Sequence, residues 1–150
     1  MFALNFPAFE IKVKLKQNKP YVFDVVRKKW LFLTPEEWVR SHCIQYLHHH
    51  KEFPLSLLRV EQQLSVYGQP KRFDIVACNA AQKPLVLVEC KAPQVPINQA
   101  VFDQLAHYNL VLKSPYCMVT NGLNHYYCSM NFENQSLQFL ESLPSYTTIK

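Results

Sequence analysis

Two acidic residues and a lysine lie at the ends of apolar segments near the middle of the chain. Asp74 lies near the start of the run Phe73–Val76, and Glu89 and Lys91 follow the run Leu85–Val88. Desolvating an unpaired carboxylate is costly, so acids placed this close to a core need a cationic partner. A divalent metal ion would supply that partner, because hard cations such as Mg²⁺ prefer carboxylate oxygens.

The segment between the two runs predicts how the acids face each other. Residues Asn79–Pro84 suit a hairpin turn. A register that pairs Cys78 with Leu85 also places Asp74 opposite Glu89. We therefore expect the two carboxylates to be cross-strand neighbours.

Lys91 should join this pair of acids. Side chains alternate along a strand, so Glu89 and Lys91 point to the same face. The three ionic groups are expected to converge on one point. The alternative is structural: Asp74 and Lys91 would form an ion pair at the strand ends without any catalytic role.

Length and composition limit the classes of protein to consider. A chain of 150 residues and 17.6 kDa, nearly half apolar, is expected to form a single domain with its own core. The formal charge of +5 and the pI near 9.0 favour a polyanionic partner, although such values are common. The five cysteines are odd in number and form no C-x-x-C pair, which indicates reduced thiols.

Several functional classes are excluded by missing motifs. With only Gly68 and Gly122 in the chain, there is neither a phosphate-binding P-loop nor a G-x-G-x-x-G turn. Serine-hydrolase and zincin motifs are also missing. No signal segment or membrane span is evident, so we expect a soluble, cytoplasmic protein.

The pattern of elements predicts an α/β fold. Residues 1–33 read as a peripheral β-hairpin region, and a helix is expected from Thr34 to about His49. Strands are expected at about 57–66, 73–78 and 85–90, then a helix at about 97–112, and strands at 116–120, 125–130 and 137–140. This order predicts an α/β sandwich with helices covering the central strands.

The first helix carries charges on its buried side. Its apolar stripe is Val39, Cys43 and Leu47, and Glu36 and Arg40 fall within that stripe. Either these two residues form a partly buried ion pair, or Glu36 is an auxiliary acid of the active site.

The second helix has a similar irregularity. Gln104 lies at the edge of its apolar stripe, and Tyr108 follows one turn later. Gln104 could bridge a catalytic group to phosphate or water while Tyr108 supplies a hydroxyl. Alternatively, Gln104 bonds to a sheet carbonyl and Tyr108 is a core residue.

Three other features are expected to lie outside the site. The run His48–His50 cannot form a metal cage, because neighbouring helical side chains diverge by about 100°. Glu61 is expected to be a surface acid, or at most to lie in the outer shell of a metal site. The alternating lysines of the first strand either touch phosphates or form a solvated edge, and the edge is the favoured interpretation: Lys12, Lys14 and Lys16.

Taken together, these residues resemble the PD-(D/E)XK nuclease signature. Asp74 and the sequence Glu89-Cys90-Lys91 match the core motif, and Gln104 with Tyr108 match the Q-x-x-x-Y helix motif. The chain is most similar to the N-terminal nuclease domain of type I restriction enzyme R subunits, in a short stand-alone form. Phe73 stands in the proline place of the signature, which is often replaced.

The resemblance implies a fold, an activity and a set of site residues. The fold would be a restriction-endonuclease-like sandwich, with a central mixed β-sheet flanked by helices and an N-terminal β-hairpin. The nuclease core would span residues 34–130, and 131–150 would be a C-terminal extension. Asp74 and Glu89 would bind Mg²⁺ (with Mn²⁺ as a substitute), and Lys91 would lie beside the attacking water.

Further residues are expected to assist in the hydrolysis of DNA. The expected catalytic helpers are Gln104 and Glu36, and the expected DNA contacts are Lys71, Arg72, Arg40 and Tyr108. Cutting both strands would usually need two active sites, so a homodimer is one possible assembly. The competing hypothesis is a nuclease-like module that binds nucleic acid or a protein without cutting.

Overall fold

The computed structural model describes residues 3–150, which form two β-sheets and three α-helices. In chain order the elements are β1 (Val13–Lys16), β2 (Lys19–Asp24), β3 (Lys29–Phe32), α1 (Pro35–His49), a short 3-10 helix (Leu55–Leu57), β4 (Leu58–Val66), β5 (Gln69–Cys78), β6 (Pro84–Cys90), α2 (Gln99–Leu112), β7 (Tyr116–Thr120), β8 (His125–Asn131), β9 (Ser136–Leu140) and α3 (Tyr146–Ile149). Among the described residues, no helix combines the length and the apolar character needed to cross a membrane.

The main sheet has six strands in the order β4-β5-β6-β7-β8-β9. Its neighbours are antiparallel except β6 and β7, which are parallel and are connected through α2. The expected α/β class with a mixed sheet is confirmed.

The helices cover opposite faces of this sheet. Ile75 and Ala77 pack in the core formed with α1, whereas Val76 and Cys78 pack in the core formed with α2. The alternation explains why this strand is apolar on both faces: both sides are buried. All five cysteines are buried and free, as expected.

The N-terminal region forms a separate antiparallel sheet of three strands, β1-β2-β3, where the sequence predicted a hairpin. The turn between β1 and β2 has positive φ at Gln17 and Asn18, 52° and 62°. Positive φ at both central residues is the geometry that two-residue hairpin turns favour. Strand β1 begins at Val13, well inside the region expected to form the hairpin.

Helix α1 begins where its capping residues predict. Thr34 Oγ1 accepts a hydrogen bond of 3.1 Å from the Glu37 N–H, and Pro35 occupies the first turn. Val39, Cys43 and Leu47 are fully buried, which confirms the apolar stripe.

The expected hairpin joins β5 to β6. Ile75 pairs with Val88 and Ala77 with Val86, which is the predicted register. The pairing of Cys78 was wrong by one residue: a bulge after Ala77 pairs it with Pro84. The bulge lies at the turn, so the register at the acidic end of the hairpin is unaffected.

The C-terminal segment is more than an extension. Strand β9 pairs with β8 and completes the main sheet, and Leu143 is only 1 % exposed within the core under α1. The boundary expected at residue 130 therefore falls inside the sheet.

Candidate active site

Asp74, Glu89 and Lys91 are brought together where β6 ends beside the middle of β5. Asp74 Oδ2 accepts a hydrogen bond of 2.8 Å from the Cys90 N–H, which holds this carboxylate against β6. Lys91 Nζ lies 3.3 Å from Glu89 Oε1. The Lys91 N–H in turn donates to the Thr120 carbonyl at 2.8 Å, so the backbone of the lysine is fixed by the end of β7.

Asp74 is ion-paired with Arg40, while Lys91 pairs with Glu89. The distance between Arg40 Nη2 and Asp74 Oδ1 is 2.7 Å. The structural alternative, an ion pair between Asp74 and Lys91, is therefore not the arrangement that forms.

Arg40 is the centre of a cluster of four carboxylates. Its Nη2 lies 2.7 Å from Glu61 and 3.3 Å from Glu36, in addition to Asp74, and its Nη1 donates to Glu37. We call these five residues the Arg40 cluster.

The burial of Arg40 overturns its expected contact with DNA. Its side chain is only 4 % exposed, and its Nε is buried without a hydrogen-bond partner among the described residues. Burial by itself would lower the pKa of this guanidinium, but the hydrogen bond and charge of Asp74 raise it overall. Arg40 is thus a permanently charged internal counter-ion and has no free face for a phosphate.

Glu36 combines features of both alternatives considered for it. It forms the expected ion pair with Arg40, but its side chain is 49 % exposed and faces outward more than the helix pattern predicts. Burial and the nearby Asp74 raise the pKa of Glu36 overall, although Arg40 and Lys91 oppose the rise. Glu36 is therefore within electrostatic reach of the groups proposed to do chemistry.

Glu61 was expected to be a surface acid, and the structure instead places it in the Arg40 cluster. The ladder pairs Val60 with Ile75 and Gln62 with Phe73, so Glu61 lies across from Asp74. Its φ of 55° interrupts the regular strand at this point. The sequence did carry a signal for this register, because Tyr67 and Gly68 suit a two-residue hairpin turn.

Glu89 is the acid whose ionisation is most perturbed. Burial and the charge of Asp74 raise the pKa of Glu89 to about 7, although Lys71 and Lys91 oppose the shift. Burial is the larger cause of this shift and the charge of Asp74 the second, so a cation bound between the two carboxylates would lower the pKa of Glu89.

Helix α2 borders the site on the other side of Glu89. A small cleft is lined by Glu89, Gln104, Tyr108 and Lys71, together with apolar side chains of β5 and α2. Gln104 Nε2 donates to Tyr108 Oη at 3.4 Å, and Lys71 Nζ lies 4.9 Å from the centre of the Tyr108 ring. Gln104 is exposed rather than bonded to the sheet, so its amide is accessible from solvent.

Arg72 is exposed at the rim of the same end of the sheet. Its Nη1 lies 3.9 Å from Glu61, at the limit of an ion pair. Unlike Arg40, Arg72 has a guanidinium that can reach an external anion.

A known protein family matches most of the chain, including the residues of this site. The family model described as the type I restriction enzyme R protein N terminus (HSDR_N) matches residues 35–144. The chain belongs to this family. The matched segment contains both helices beside the site and all six strands of the main sheet, whereas the three-stranded N-terminal sheet precedes it.

A solved structure supports the fold of this R-subunit N-terminal domain. It is named "the fragment structure of a putative HsdR subunit of a type I restriction enzyme" and comes from Vibrio vulnificus YJ016. The two share 18 % identity with a TM-score of 0.55, over 75 % of this chain. The chain spans about a quarter of that structure, since 24 % of it is covered. A search of curated proteins found no match.

Proposed function

We propose that this R-subunit N-terminal domain is a metal-dependent nuclease of the PD-(D/E)XK type that hydrolyses DNA phosphodiester bonds in a restriction-related role. In this proposal the main sheet and its two helices form a restriction-endonuclease-like sandwich, which acts in the cytoplasm. The observation that carries the proposal is the juxtaposition of Asp74, Glu89 and Lys91 at one edge of the β5-β6 hairpin. Two acids and a lysine that converge at the end of a central strand are suited to phosphoryl chemistry.

The donor set fits a hard divalent cation. Among residues 3–150 no group of three or more His, Cys, Asp and Glu side chains is arranged to hold a metal ion. Mg²⁺ needs fewer, since it is usually bound by one or two carboxylates with water and substrate phosphate completing its shell. Asp74 and Glu89 would be those carboxylates, and a bound cation would offset the burial and the Asp74 charge that raise the pKa of Glu89. When bound, Mg²⁺ or Mn²⁺ would lower the pKa of a coordinated water and offset charge on the phosphate.

The remaining residues have separate proposed roles. In hydrolysis the water oxygen bonds to phosphorus, one P–O bond to a sugar breaks, and a proton passes from the water to the departing oxygen. Lys91 would orient the attacking water and stabilise the extra negative charge at phosphorus. Gln104 would hydrogen-bond to water or phosphate beside Glu89, and Glu36 would accept a proton or orient a water from the α1 side.

Phosphate contacts would come from exposed cations. Lys71 lines the cleft with Glu89, and Arg72 is exposed beside Glu61. Tyr108 would position Lys71 and Gln104 through its ring and hydroxyl. Cleavage of both strands would be expected to require two copies of the domain.

One observation favours a second candidate, a module that binds nucleic acid without cutting it. Arg40 already donates to Asp74 and can act as the internal counter-ion of the acidic site. In the non-cutting module this arginine would take the place of a metal ion. Each carboxylate oxygen can accept more than one contact, so Arg40 and a metal ion are compatible on Asp74. The two candidates differ in whether metal ions produce turnover.

The test is cleavage of labelled single-stranded, linear duplex and circular DNA with Mg²⁺, Mn²⁺ or EDTA. The nuclease proposal predicts metal-dependent products that Asp74→Asn, Glu89→Gln and Lys91→Met each reduce by at least about 100-fold, as expected for groups acting on the transition state. Lys83→Met and Glu133→Gln change exposed residues outside the site and should retain full activity.

Three results would contradict the proposal. Products that persist in all three site variants would come from a contaminating nuclease. Mn²⁺ binding by calorimetry without cleavage of any substrate would favour the non-cutting module. If Glu89→Gln left Mn²⁺ binding unchanged, the proposed metal ligands would be wrong.

A further inference from the structure

The net charge of the chain is concentrated in its N-terminal region. Residues 1–33 contain seven Lys and Arg against two Asp and Glu, whereas residues 34–150 contain nine of each. The whole formal charge of +5 therefore belongs to the segment that forms the N-terminal sheet. One of its two acids, Asp24, is buried in an ion pair with Arg27, so it does little to offset the exposed lysines.

One face of this sheet combines lysines with aromatic rings. The ladder aligns Lys14 with Tyr21 and Phe32, and Trp30 lies two residues before Phe32 on the same strand. Alternation places all four side chains on the same side. The ring pair Tyr21–Phe32, 6.0 Å between centres, and the 4.2 Å between Lys14 Nζ and the Trp30 ring centre agree with this.

Two more lysines extend this surface toward the first turn. Lys16 and Lys19 are direct cross-strand partners, and both are exposed. Like charges directly opposite each other destabilise a sheet. A bound anion would relieve that repulsion. We call the surface of Lys14, Lys16, Lys19, Tyr21, Trp30 and Phe32 the basic aromatic face.

The rings of this face are accessible. Trp30 is 37 % exposed and Phe32 51 % exposed, which is unusual for large apolar side chains on one strand. Lys14 stands over the Trp30 ring, so a positive charge is held directly beside an open π-surface.

We propose that the basic aromatic face binds single-stranded nucleic acid. Its lysines would contact backbone phosphates, while Trp30 and Phe32 would stack on bases. In a duplex the base faces are covered by neighbouring pairs, so only unpaired bases can use the rings. A duplex would contact the lysines alone and bind more weakly.

The inference deepens the proposed function by naming the form of nucleic acid presented to the site. A chain of ion pairs connects the two regions: Asp24 to Arg27, Arg27 to Glu37, and through the Arg40 cluster to Asp74. The face and the Asp74 carboxylate therefore belong to elements held in a defined relation. A strand held on the N-terminal sheet would be kept close to the domain that is proposed to cut it.

Charge argues for nucleic acid over a protein partner. A surface whose cations outnumber its acids and flank flat aromatic rings complements a polyanion that carries planar bases. Docking of another protein is retained as an outcome of the test.

Binding can be measured without metal or turnover, so failure here is separable from failure of the nuclease proposal. Fluorescence anisotropy in EDTA would follow a labelled single-stranded oligonucleotide of about 16 nucleotides, which matches the longer site sizes of single-strand binders. Trp30→Ala and Phe32→Ala should each weaken binding by about 5- to 100-fold, the range for loss of one stacked base. Trp30→Phe should retain most of the affinity because a ring remains.

The lysines should act through salt dependence instead. Lys14→Gln and Lys16→Gln should each lower the slope of log affinity against log salt by about 0.7, the value per phosphate for single strands. Trp30→Ala should leave that slope unchanged. Quenching of tryptophan fluorescence by the oligonucleotide should disappear in Trp30→Ala, although Trp38 remains.

The controls separate local from general effects. Phe132→Ala and Lys83→Gln remove an exposed ring and an exposed lysine elsewhere and should change nothing. If Trp30→Ala does not fold, Trp30→Leu keeps an apolar side chain but removes the π-surface. Equal affinity for duplex and single strand, full affinity in Trp30→Ala with Phe32→Ala, or self-association that the double variant abolishes would each overturn the proposal.

Discussion

The raised pKa of Glu89 predicts how the free energy of unfolding depends on pH. Its carboxylate has a pKa of about 7 in the folded protein, above its ordinary value near 4.5. Between these values the folded state retains a proton that the unfolded state has lost, so stability falls as pH rises. Glu89→Gln removes this cost. The variant should match wild type below about pH 4.5 and be more stable by about 1 to 3 kcal/mol above about pH 7.

Urea unfolding at about pH 5 and about pH 8, without metal ions, would measure this difference. Glu133→Gln is the matched control, because this exposed acid should give equal stability at both pH values. A stability gain of the same size at both pH values would indicate that the effect comes from packing. The same ionisation predicts that Mn²⁺ binds wild type more tightly at about pH 8 than at about pH 6, since binding requires the deprotonated carboxylate.

Arg40 predicts a second effect at the level of a single residue. Arg40→Met would remove the buried guanidinium that pairs with four carboxylates, and of these Glu37 would keep Arg27 as a close cation. Removing one partner of a buried ion pair costs about 3 to 5 kcal/mol, a large share of the stability of a domain. The loss should shrink as pH falls toward about pH 5, because protonation removes the repulsion among the acids.

Thermal and urea unfolding at both pH values would measure the effect of Arg40→Met. Arg59→Met is the control, because the Arg59 guanidinium donates to the Ser56 carbonyl at 3.2 Å in an exposed position. Arg40→Met with near-wild-type stability at about pH 8 would mean that the Arg40 cluster is not the internal ion-pair centre described above.

At the scale of elements, Asp24 joins the N-terminal sheet to α1. Its Oδ1 accepts the N–H groups of Val26 and Arg27 at 2.8 Å, and its Oδ2 lies 2.7 Å from Arg27 Nε. Arg27 in turn pairs with Glu37 of α1. Asp24→Asn should therefore loosen the N-terminal sheet while leaving the separate main sheet intact.

Hydrogen exchange resolved by residue would detect this local effect. Amides of β2 and β3 should exchange at least about 10-fold faster in Asp24→Asn, which corresponds to about 1.4 kcal/mol of lost protection. Glu10→Gln, an exposed acid before β1, is the control and should leave exchange unchanged. Faster exchange throughout β5 and β6 as well would show that the two sheets unfold as one unit.

The elements that the sequence could predict are those with local signals. Thr34 and Pro35 mark the start of α1, and Asn79 with Pro84 marks the β5-β6 turn, so both elements and the register that aligns Asp74 with Glu89 could be inferred. The bulge at Cys78 could not, since it depends on how the turn closes. Glu61 was missed for a different reason: its partner Arg40 is distant in sequence, and alternation alone places an isolated acid on the surface.

At the scale of the whole molecule, two regions differ in how well they follow the family pattern. Residues 35–144 match the family model and contain the groups of the candidate site. The N-terminal sheet precedes that match and carries the net positive charge. The net charge of the chain was evident from its composition. The surface that combines lysines with aromatic rings was not, because it forms only when three strands pair.

The C-terminal segment gives the last prediction, which concerns the integrity of the whole fold. A chain ending at residue 130 would lose β9, which pairs with β8, and Leu143, which lies in the core under α1. That chain should fail to fold cooperatively, whereas one ending at residue 144 should retain the complete main sheet. Leu143→Ala should cost about 2 to 5 kcal/mol, as for other buried leucines.

Urea unfolding followed by circular dichroism would compare these chains. Leu123→Ala is the control, since Leu123 is 44 % exposed and its loss should cost less than about 1 kcal/mol. Because all five thiols are buried, a thiol reagent gives a second measurement: the chain ending at 130 should react rapidly, and wild type only on unfolding. A cooperative transition and protected thiols in the chain ending at 130 would show that the sheet is complete without β9, and that the core under α1 does not depend on Leu143.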